Sequence, residues 1–411
     1  MASGTTSISV TGIPITELQT EYERRGIGEW SDVRLVRAVA DVVALPRRRA
    51  ADSFVLHAPL ELAARSALLP WVNGRAEREL ARLHVLAIAA QYEAFDQPID
   101  EPIDEPRPVP LPPDADAGVW LLAAIAAGDL DDVDRASSAL ARSSNPRRLI
   151  RQLADGLLAR TAAAAHAPIF LYQLPRVAPR FELPCELLRP LARELAREPG
   201  WRISWVDEWH PVTATDPVAL EQALAATPRL GIPGSTFIHP TMMQVDAGTA
   251  REQLGDLLGA PDANAARAIL RVAARSMLLD TPEHSPYGWS HCLTMPQAVL
   301  GISGSTADPA RAFAIAATYV VAFRAALSSG SLALDPLDFG GRAEHPSRTA
   351  ERIATCASIS HDAHVVKYAL ACLDAAAWDP AAAGLYLAAA ERLLDWWRDA
   401  GGDPTDPLRV G

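Results

Sequence analysis

The amino-acid sequence predicts an all-α protein, a large multi-helix domain with few or no strands. Apolar residues recur at helical spacing along most of the chain, and no regular alternation of strands and helices is visible. Apolar residues make up 49% of the 411 residues and charged residues 21%, a composition that supports a large buried core. No glycine-rich phosphate loop follows a predicted strand, which argues against a nucleotide-binding α/β fold. We therefore predict a single helical domain over residues 1–411.

The first hundred residues predict helices that are separated by short turns. Alternating β-branched residues at 7–10 indicate a short strand or an arm. Ser31 is suited to cap the first long helix, and Pro59 is suited to the first turn of the next one. This reading places His57 just before that second helix. The helices predicted in this part of the chain cover about 31–45, 59–68 and 76–95.

A proline-rich stretch at 96–116 interrupts the helical pattern and contains a duplicated Pro-Ile-Asp-Glu sequence. Proline at this density blocks helix and sheet and favours an extended chain. We predict a surface loop or linker here. Composition does not decide between a domain boundary and a long excursion over one domain.

Helical spacing resumes after residue 118 and continues to the end of the chain. A long helix is predicted from Pro146 to about residue 174, with a kink at Pro168 and with His166 in its alanine-rich part. Residues 201–206 alternate like a short strand, and residues 209–247 are predicted to be irregular. The remaining helices are predicted at 131–142, 184–198, 248–259, 262–279, 294–301, 308–329, 347–377 and 380–399.

Charge, cysteine content and hydropathy limit the partners and the compartment of the protein. The formal net charge of −12 argues against nucleic acid and anionic membranes as partners. The four cysteines form no Cys-x-x-Cys pair and indicate reduced thiols in a cytoplasm. No signal peptide is recognisable, and the most apolar window, 310–327, contains Arg311 and Arg324, so a buried helix is predicted there. The oligomeric state stays open.

Lys367 is the only lysine in the chain, and all other basic residues are arginine. A buried lysine has a lowered pKa and exposes a neutral amine, which arginine cannot do. Such an amine can take up carbon dioxide and become a carbamate, an anionic oxygen ligand for a metal. His361 and His364 lie six and three residues before Lys367. The alternative interpretation is a chance surface lysine with two solvated histidines.

Four of the ten histidines lie in mostly apolar stretches of the chain: His57, His166, His291 and His364. No His-Glu-x-x-His pair or zinc-finger spacing is present, and no complete nucleophile elbow of a serine hydrolase. Each of the four histidines alone would be read as a satisfied core residue. Together with the solitary lysine they favour a metal site. Imidazoles suit iron, copper or zinc, and the affinity order alone does not choose among these metals.

Four segments resemble successive motifs of the questin oxidase-like family. They read Leu-His-Ala-Pro-Leu-Glu-Leu-Ala at 56–63, Ala-Ala-His-Ala-Pro-Ile at 164–169, Ser-His-Cys-Leu-Thr-Met-Pro-Gln-Ala at 290–298 and Asp-Ala-His-Val-Val-Lys-Tyr-Ala-Leu-Ala-Cys-Leu at 362–373. The motifs follow the order of the family and span most of the chain, from about 57 to 380. The second motif departs from the family pattern, because the arginine and the further histidine that usually follow it are missing.

The resemblance implies an enzyme that oxidatively opens anthraquinone-type rings at an atypical non-haem iron. Carried over motif by motif, the implied iron ligands are His57, His166, His291, His364 and a carbamylated Lys367. His364 and Lys367 would also be the catalytic pair, one helical turn apart. His361 and His239 are reserve ligands if one assignment fails.

The resemblance also indicates the reaction and the substrate class. Trp289, Tyr287, Phe170 and Tyr172 flank the implied ligands in sequence and are candidates for lining a cavity for a flat aromatic substrate. We expect a cytoplasmic Fe(II) mono- or dioxygenase that acts with dioxygen on an aromatic, polyketide-like secondary metabolite. NADPH would be a possible reductant.

Three other functions stay open at this point. A metal-free, NADPH-dependent Baeyer–Villiger-type oxygenase is an activity also ascribed to the family, although the chain lacks a dinucleotide-binding fingerprint. A hydrolase with a lysine carbamate between two metals would usually use a β/α barrel, which the helical pattern does not support. A non-catalytic helical scaffold or binding protein is the third alternative.

Overall fold

The structure, a computed structural model, describes residues 10–45, 53–94, 116–143, 146–181, 183–230, 238–339 and 345–400. This part of the chain is 77% helical with only 2% strand, which confirms the predicted all-α class. The predicted strand or arm at 7–10, apart from Val10, lies outside the described residues. So does the proline-rich stretch at 96–116, apart from Asp116.

The helices follow one another with short connections. Those of the first half are α1 (Leu18–Arg24), α2 (Asp32–Val43), α3 (Ser53–Leu68), α4 (Arg75–Ala94), α5 (Ala117–Ala127), α6 (Leu130–Ser143), α7 (Pro146–Leu157), α8 (Ala167–Phe181) and α9 (Arg189–Arg197). Those of the second half are α10 (Pro217–Ala225), α11 (His239–Gln244), α12 (Ala250–Leu254), α13 (Ala263–Leu279), α14 (Ser290–Ile302), α15 (Pro309–Leu327), α16 (Pro346–Ser358), α17 (Ala363–Trp378) and α18 (Ala383–Asp399). Two short strands, β1 (Val212–Ala214) and β2 (Gly259–Ala260), pair in parallel.

Two side-chain caps define helix starts that matter for the fold. Ser31 caps α2 as predicted, and its hydroxyl accepts the backbone N–H of Arg34. Asp362 caps α17 by accepting the backbone N–H groups of His364 and Val365 at 2.8 and 3.1 Å. The single helix predicted over 347–377 is therefore wrong. The aspartate binds free N–H groups and so starts a new helix instead of continuing the preceding one.

The long helix predicted from Pro146 to residue 174 is also wrong. Helix α7 ends at Leu157, and α8 begins only at Ala167. Between them Ala163, Ala164 and Ala165 have φ angles of 54°, 50° and 58°, which form a left-handed turn. Alanine has the highest helix propensity of all residues, so local preference is overridden here by tertiary structure.

The predictions for the start of α3 and for residues 201–206 also need correction. Helix α3 begins at Ser53, so Pro59 lies inside the helix and His57 lies within it, not before it. The strand predicted at 201–206 does not form. Only Arg202 pairs there, in an isolated antiparallel bridge with Arg160. The stretch predicted as irregular, 209–247, contains β1, α10 and α11, while 231–237 lies outside the described residues.

Four helices enclose the centre of the molecule. Helix α3 packs against α8 and α17, and α14 packs against α8 and α17 on the opposite side, so the four form a closed ring. Helix α15 packs against α14. Among the described helices, α15 is the one long and apolar enough to cross a membrane, and 78% of its apolar window is buried in the fold. Its Arg324 is fully buried and forms an ion pair with Asp280 at 2.9 Å.

Candidate metal centre

Four histidines from the four central elements converge inside the ring of helices. His57 comes from α3, His166 from the start of α8, His291 from α14 and His364 from α17. Neighbouring rings have centroid distances of 4.6, 5.0, 5.0 and 4.6 Å in that cyclic order, and His57 and His291 lie 6.3 Å apart across the ring. The ligand atoms of His57, His291 and His364 all lie within 4.8 Å of one another. These three buried histidines could hold a metal ion.

The spacing of the Nε2 atoms fits a common metal. Nε2 of His166 lies 2.9 Å from Nε2 of His57 and 3.2 Å from Nε2 of His291. A metal–nitrogen bond of about 2.1 Å places adjacent ligands about 3.0 Å apart in square or octahedral geometry, and about 3.4 Å apart in a tetrahedron. The distance of 2.9 Å is close to the first value, and the distance of 3.2 Å lies between the two. His166 therefore lies beside two members of the group of three histidines.

The tautomers of two rings direct lone pairs into the centre. Nδ1 of His166 donates to the carbonyls of Ala163 and Ala164 at 2.9 and 3.0 Å, and Nδ1 of His291 donates to the carbonyl of Tyr287 at 2.6 Å. A neutral imidazole carries one proton, so the Nε2 atoms of both rings are acceptors. Two acceptors that face each other at 3.2 Å repel unless a positive charge lies between them. A cation held by the histidines could supply that charge.

Burial keeps the histidines neutral. Loss of contact with water lowers the pKa of His57, His166 and His291 well below the ordinary value, and nearby positive charge lowers it further. Burial also lowers the pKa of His364, although the carboxylate of Asp362 opposes this shift. That carboxylate lies 3.5 Å from Nδ1 of His364, so it attracts the ring without a well-formed hydrogen bond. Neutral imidazole is the form that binds metals.

Lys367 lies on α17 one turn after His364, and its side chain is only 3% exposed. Burial lowers the pKa of its amine to about 7, against the attraction of Asp362 and Glu61. Among the described residues, its Nζ atom has no hydrogen-bond partner. A buried amine without a hydrogen-bond partner lowers the stability of the folded protein. The presence of lysine at this position therefore indicates a functional role.

The left-handed turn Ala163–Ala165 orients His166, because two of its carbonyls accept a hydrogen bond from the ring N–H of His166. A left-handed conformation costs roughly 1–2 kcal/mol for each L-residue. Strain of this kind persists only where the surroundings impose it, and it clusters at functional sites. The sequence signal was present as four consecutive alanines before a histidine, but such a run is more often helical.

A π-helical turn at residues 285–289 orients His291. The N–H of Ser290 donates to the carbonyl of Ser285, five residues back. In the same turn the hydroxyl of Ser290 donates to Pro286 at 2.6 Å, and the ring of His291 donates to Tyr287. Such turns occur often at functional sites. No local pattern in the sequence indicated this one.

Arg65 connects two of the ligand-bearing helices and was not singled out by sequence reasoning. It is buried on α3, forms an ion pair with Glu61, and donates to the carbonyls of Ser358, Ser360 and His361 at 2.9, 2.8 and 3.2 Å. The carbonyl of Ser358 lies at the end of α16, and those of Ser360 and His361 belong to the connection that leads into α17. Arg65 thus sets the position of His364 relative to α3. The Glu–Arg spacing of four residues was its only local signal.

The two reserve ligands lie outside the histidine ring. His361 is in the connection before α17, and its ring lies 6.4 Å from that of His84. His239 stacks on Trp201 with a centroid distance of 3.9 Å. Neither belongs to the group of histidines that could hold a metal.

The four aromatic residues predicted to line a substrate cavity lie in different surroundings. Trp289 and Phe170 are 0% exposed, and the indole N–H of Trp289 donates to a backbone carbonyl at 3.1 Å. Tyr172 packs edge-on against Trp378. Tyr287 is 57% exposed, and its ring packs edge-on against the buried ring of His364 with a centroid distance of 4.9 Å. Tyr287 therefore connects the histidine ring with the surface.

No protein-family model, curated protein or solved structure matches the chain. The histidine cluster, which is able to hold a metal ion, is thus the feature from which a function has to be argued.

Proposed function

We propose that the protein is a cytoplasmic, non-haem iron-dependent oxygenase that acts on an aromatic, polyketide-like secondary metabolite. The proposed ligands are His57, His166, His291, His364 and a carbamylated Lys367. The observation that carries the proposal is the pair of facing Nε2 acceptors, His166 and His291, only 3.2 Å apart and both turned inward by backbone carbonyls. The preference for iron over zinc or copper rests on the resemblance to the questin oxidase-like family.

The proposed role of Lys367 follows from its burial. With a pKa lowered to about 7, a large fraction of the amine is neutral at neutral pH. The neutral nitrogen bonds to the carbon of carbon dioxide and releases a proton, which leaves an anionic carbamate. Its oxygens would offset the charge of a divalent cation among four neutral imidazoles. Arginine cannot replace the amine in this step, because it stays protonated.

Iron held there would supply the redox chemistry with dioxygen. The protein contributes orientation and exclusion of water. The carbonyls of Ala163, Ala164 and Tyr287 hold the rings of His166 and His291 in one tautomer. The exposed ring of Tyr287 offers a flat apolar surface beside the site, where an aromatic substrate can pack.

Metal analysis of the purified protein tests the proposal. We expect about one iron per chain in wild-type protein, since the proposed ligands form one coordination shell. Lys367→Arg should lose most of this iron, because the guanidinium group stays protonated and cannot form a carbamate. His84→Ala removes a buried histidine outside the ring and serves as the control, with iron content expected to stay at the wild-type level.

The competing functions give different results when metal analysis is combined with an assay of NADPH consumption. Full iron content in Lys367→Arg would disprove the carbamate. A metal-free protein that consumes NADPH together with an aromatic ketone would instead be the Baeyer–Villiger-type oxygenase. A metal-free protein without turnover would be a helical binding protein.

A further inference from the structure

A second concave site lies where the segments after α7 and α9 meet the start of α15. Its cavity of about 330 Å³ is lined by Arg160, Arg202 and Arg311, together with Asp155 and small residues. It shares no residue with the histidine ring. Three arginines therefore border one cavity in a chain with a formal net charge of −12.

The carboxylates near this cavity do not balance its arginines. Arg202 and Arg311 share one carboxylate, that of Asp207, which lies 2.7 Å from Arg311. The oxygens of Asp155 already accept the backbone N–H of Ala307 at 3.0 and 3.2 Å. Arg160 forms no ion pair in the part of the chain that the structure describes, and its Nε contacts a backbone carbonyl only at 3.4 Å. The cavity therefore carries excess positive charge.

The backbone holds two of these arginines side by side. Arg160 and Arg202 are opposite each other in an antiparallel bridge. Hydrogen bonds from Thr161 to Trp201 at 2.9 Å, and from Ile203 to the residue before Arg160 at 2.7 Å, maintain this pairing. Like charges in directly opposite positions destabilise a strand pair. Burial and the charge of Arg202 lower the pKa of Arg160. This direction is the one expected for a guanidinium group without a nearby negative charge.

We propose that this cavity binds a phosphate group through the guanidinium groups of Arg160, Arg202 and Arg311. The fork of an arginine matches two phosphate oxygens, and phosphate is tetrahedral, so donors from three separate segments can reach it together. A phosphate monoester also carries a charge of about −1.5 to −2 at pH 7, enough to offset the excess. A planar carboxylate would engage fewer of these donors. The inference does not rest on the proposed function.

A phosphate bound there could be free or could belong to a larger molecule. A neighbouring cavity of about 90 Å³ shares Gly200 and Arg202 with the first one and is bordered by Trp201 and His239. Trp201 is 42% exposed and stacks on His239. An aromatic surface thus lies next to the arginines, where the organic part of a phosphorylated cofactor can pack.

Titration of the full-length protein with inorganic phosphate, followed by calorimetry at low ionic strength, tests the inference. We expect saturable binding that weakens as salt is added. Arg160→Gln should weaken it at least about 10-fold, because a charge-assisted hydrogen bond is lost. Arg135→Gln removes an exposed arginine that pairs with Asp132 elsewhere and should bind like wild type.

The same assay identifies the source of the phosphate. If NADPH displaces inorganic phosphate and NADH does not, the phosphate belongs to a phosphorylated cofactor; if neither displaces it, the ligand is free phosphate. Absence of saturable phosphate binding to folded wild-type protein would overturn the inference. So would wild-type affinity in Arg160→Gln. Should that variant fail to fold by circular dichroism, Arg202→Gln, at an exposed position, replaces it with the same expectation.

Discussion

Lys367 is an unusual residue because burial lowers the pKa of its amine to about 7 despite the attraction of Asp362 and Glu61. Its amine has no hydrogen-bond partner in the described structure. Its positive charge also contributes to the lowered pKa values of the four nearby imidazoles. In the metal-free protein this residue should therefore reduce stability. Residues that cost stability in the absence of a ligand are typical of functional sites.

This reasoning predicts opposite effects of one substitution on stability and on metal binding. Lys367→Met keeps a similar volume and removes the buried amine. We expect the free energy of unfolding of the metal-free protein to rise by about 1–3 kcal/mol, the cost of an unpartnered buried polar group. Metal content should fall at the same time. Denaturant unfolding and metal analysis of the same samples measure both effects, and a less stable metal-free variant would contradict the assignment.

The left-handed turn Ala163–Ala165 is an element whose strain can be measured separately from its packing. Ala164 is exposed and has a φ of 50°, so a larger side chain there meets solvent while its backbone stays in the disfavoured region. The effect of a substitution at this position therefore reports on the backbone conformation.

We predict that Ala164→Val destabilises the protein by about 1–2 kcal/mol, because β-branched residues tolerate a positive φ least. Ala164→Gly should change stability by less than about 1 kcal/mol, since released strain and a more flexible unfolded chain offset each other. Ala123→Val, at an exposed right-handed position in α5, is the matched control and should cost only about 0.5 kcal/mol. Equal losses in the two valine variants, measured by denaturant unfolding, would exclude strain in this turn.

The whole molecule should respond to acid through its buried histidines, and His84 allows this to be tested outside the metal centre. Burial, followed by the nearby charges of Arg65 and His361, lowers the pKa of His84 well below its ordinary value. The folded protein therefore keeps His84 neutral at a pH at which the unfolded chain binds a proton. The stability that depends on neutral His84 is present above about pH 6.5 and is lost as the pH falls below it.

We predict that wild-type stability falls more steeply with decreasing pH than that of His84→Leu. The difference in slope should be about 1.4 kcal/mol per pH unit below about pH 6.5, which corresponds to one proton. Urea unfolding between pH 7 and pH 5 measures it. Parallel pH curves for the two proteins would show that His84 takes up a proton in the folded state as well.

Much of the fold could be predicted from local patterns. Helices with clear apolar spacing, such as α2, α4 and α13, lie within a few residues of their predicted bounds. The errors occur where local preference and tertiary structure disagree. Alanines predicted as helix form the left-handed turn before α8, and a proline predicted to start α3 lies inside it. Helix propensity contributes less free energy per residue than the packing and the hydrogen bonds that override it.

The sequence by itself determined the all-α class, and it singled out four histidines and one lysine by their apolar settings and by the rarity of lysine. Only the tertiary structure decided which of these residues meet. It brought His57, His166, His291 and His364 into one ring and left His361 and His239 outside. The physical reason is that the four histidines converge only when α3, α8, α14 and α17 pack together. These packing contacts join residues that are far apart in the sequence. The supporting carbonyls, the π-helical turn and the Arg65 contacts likewise exist only once these helices are assembled.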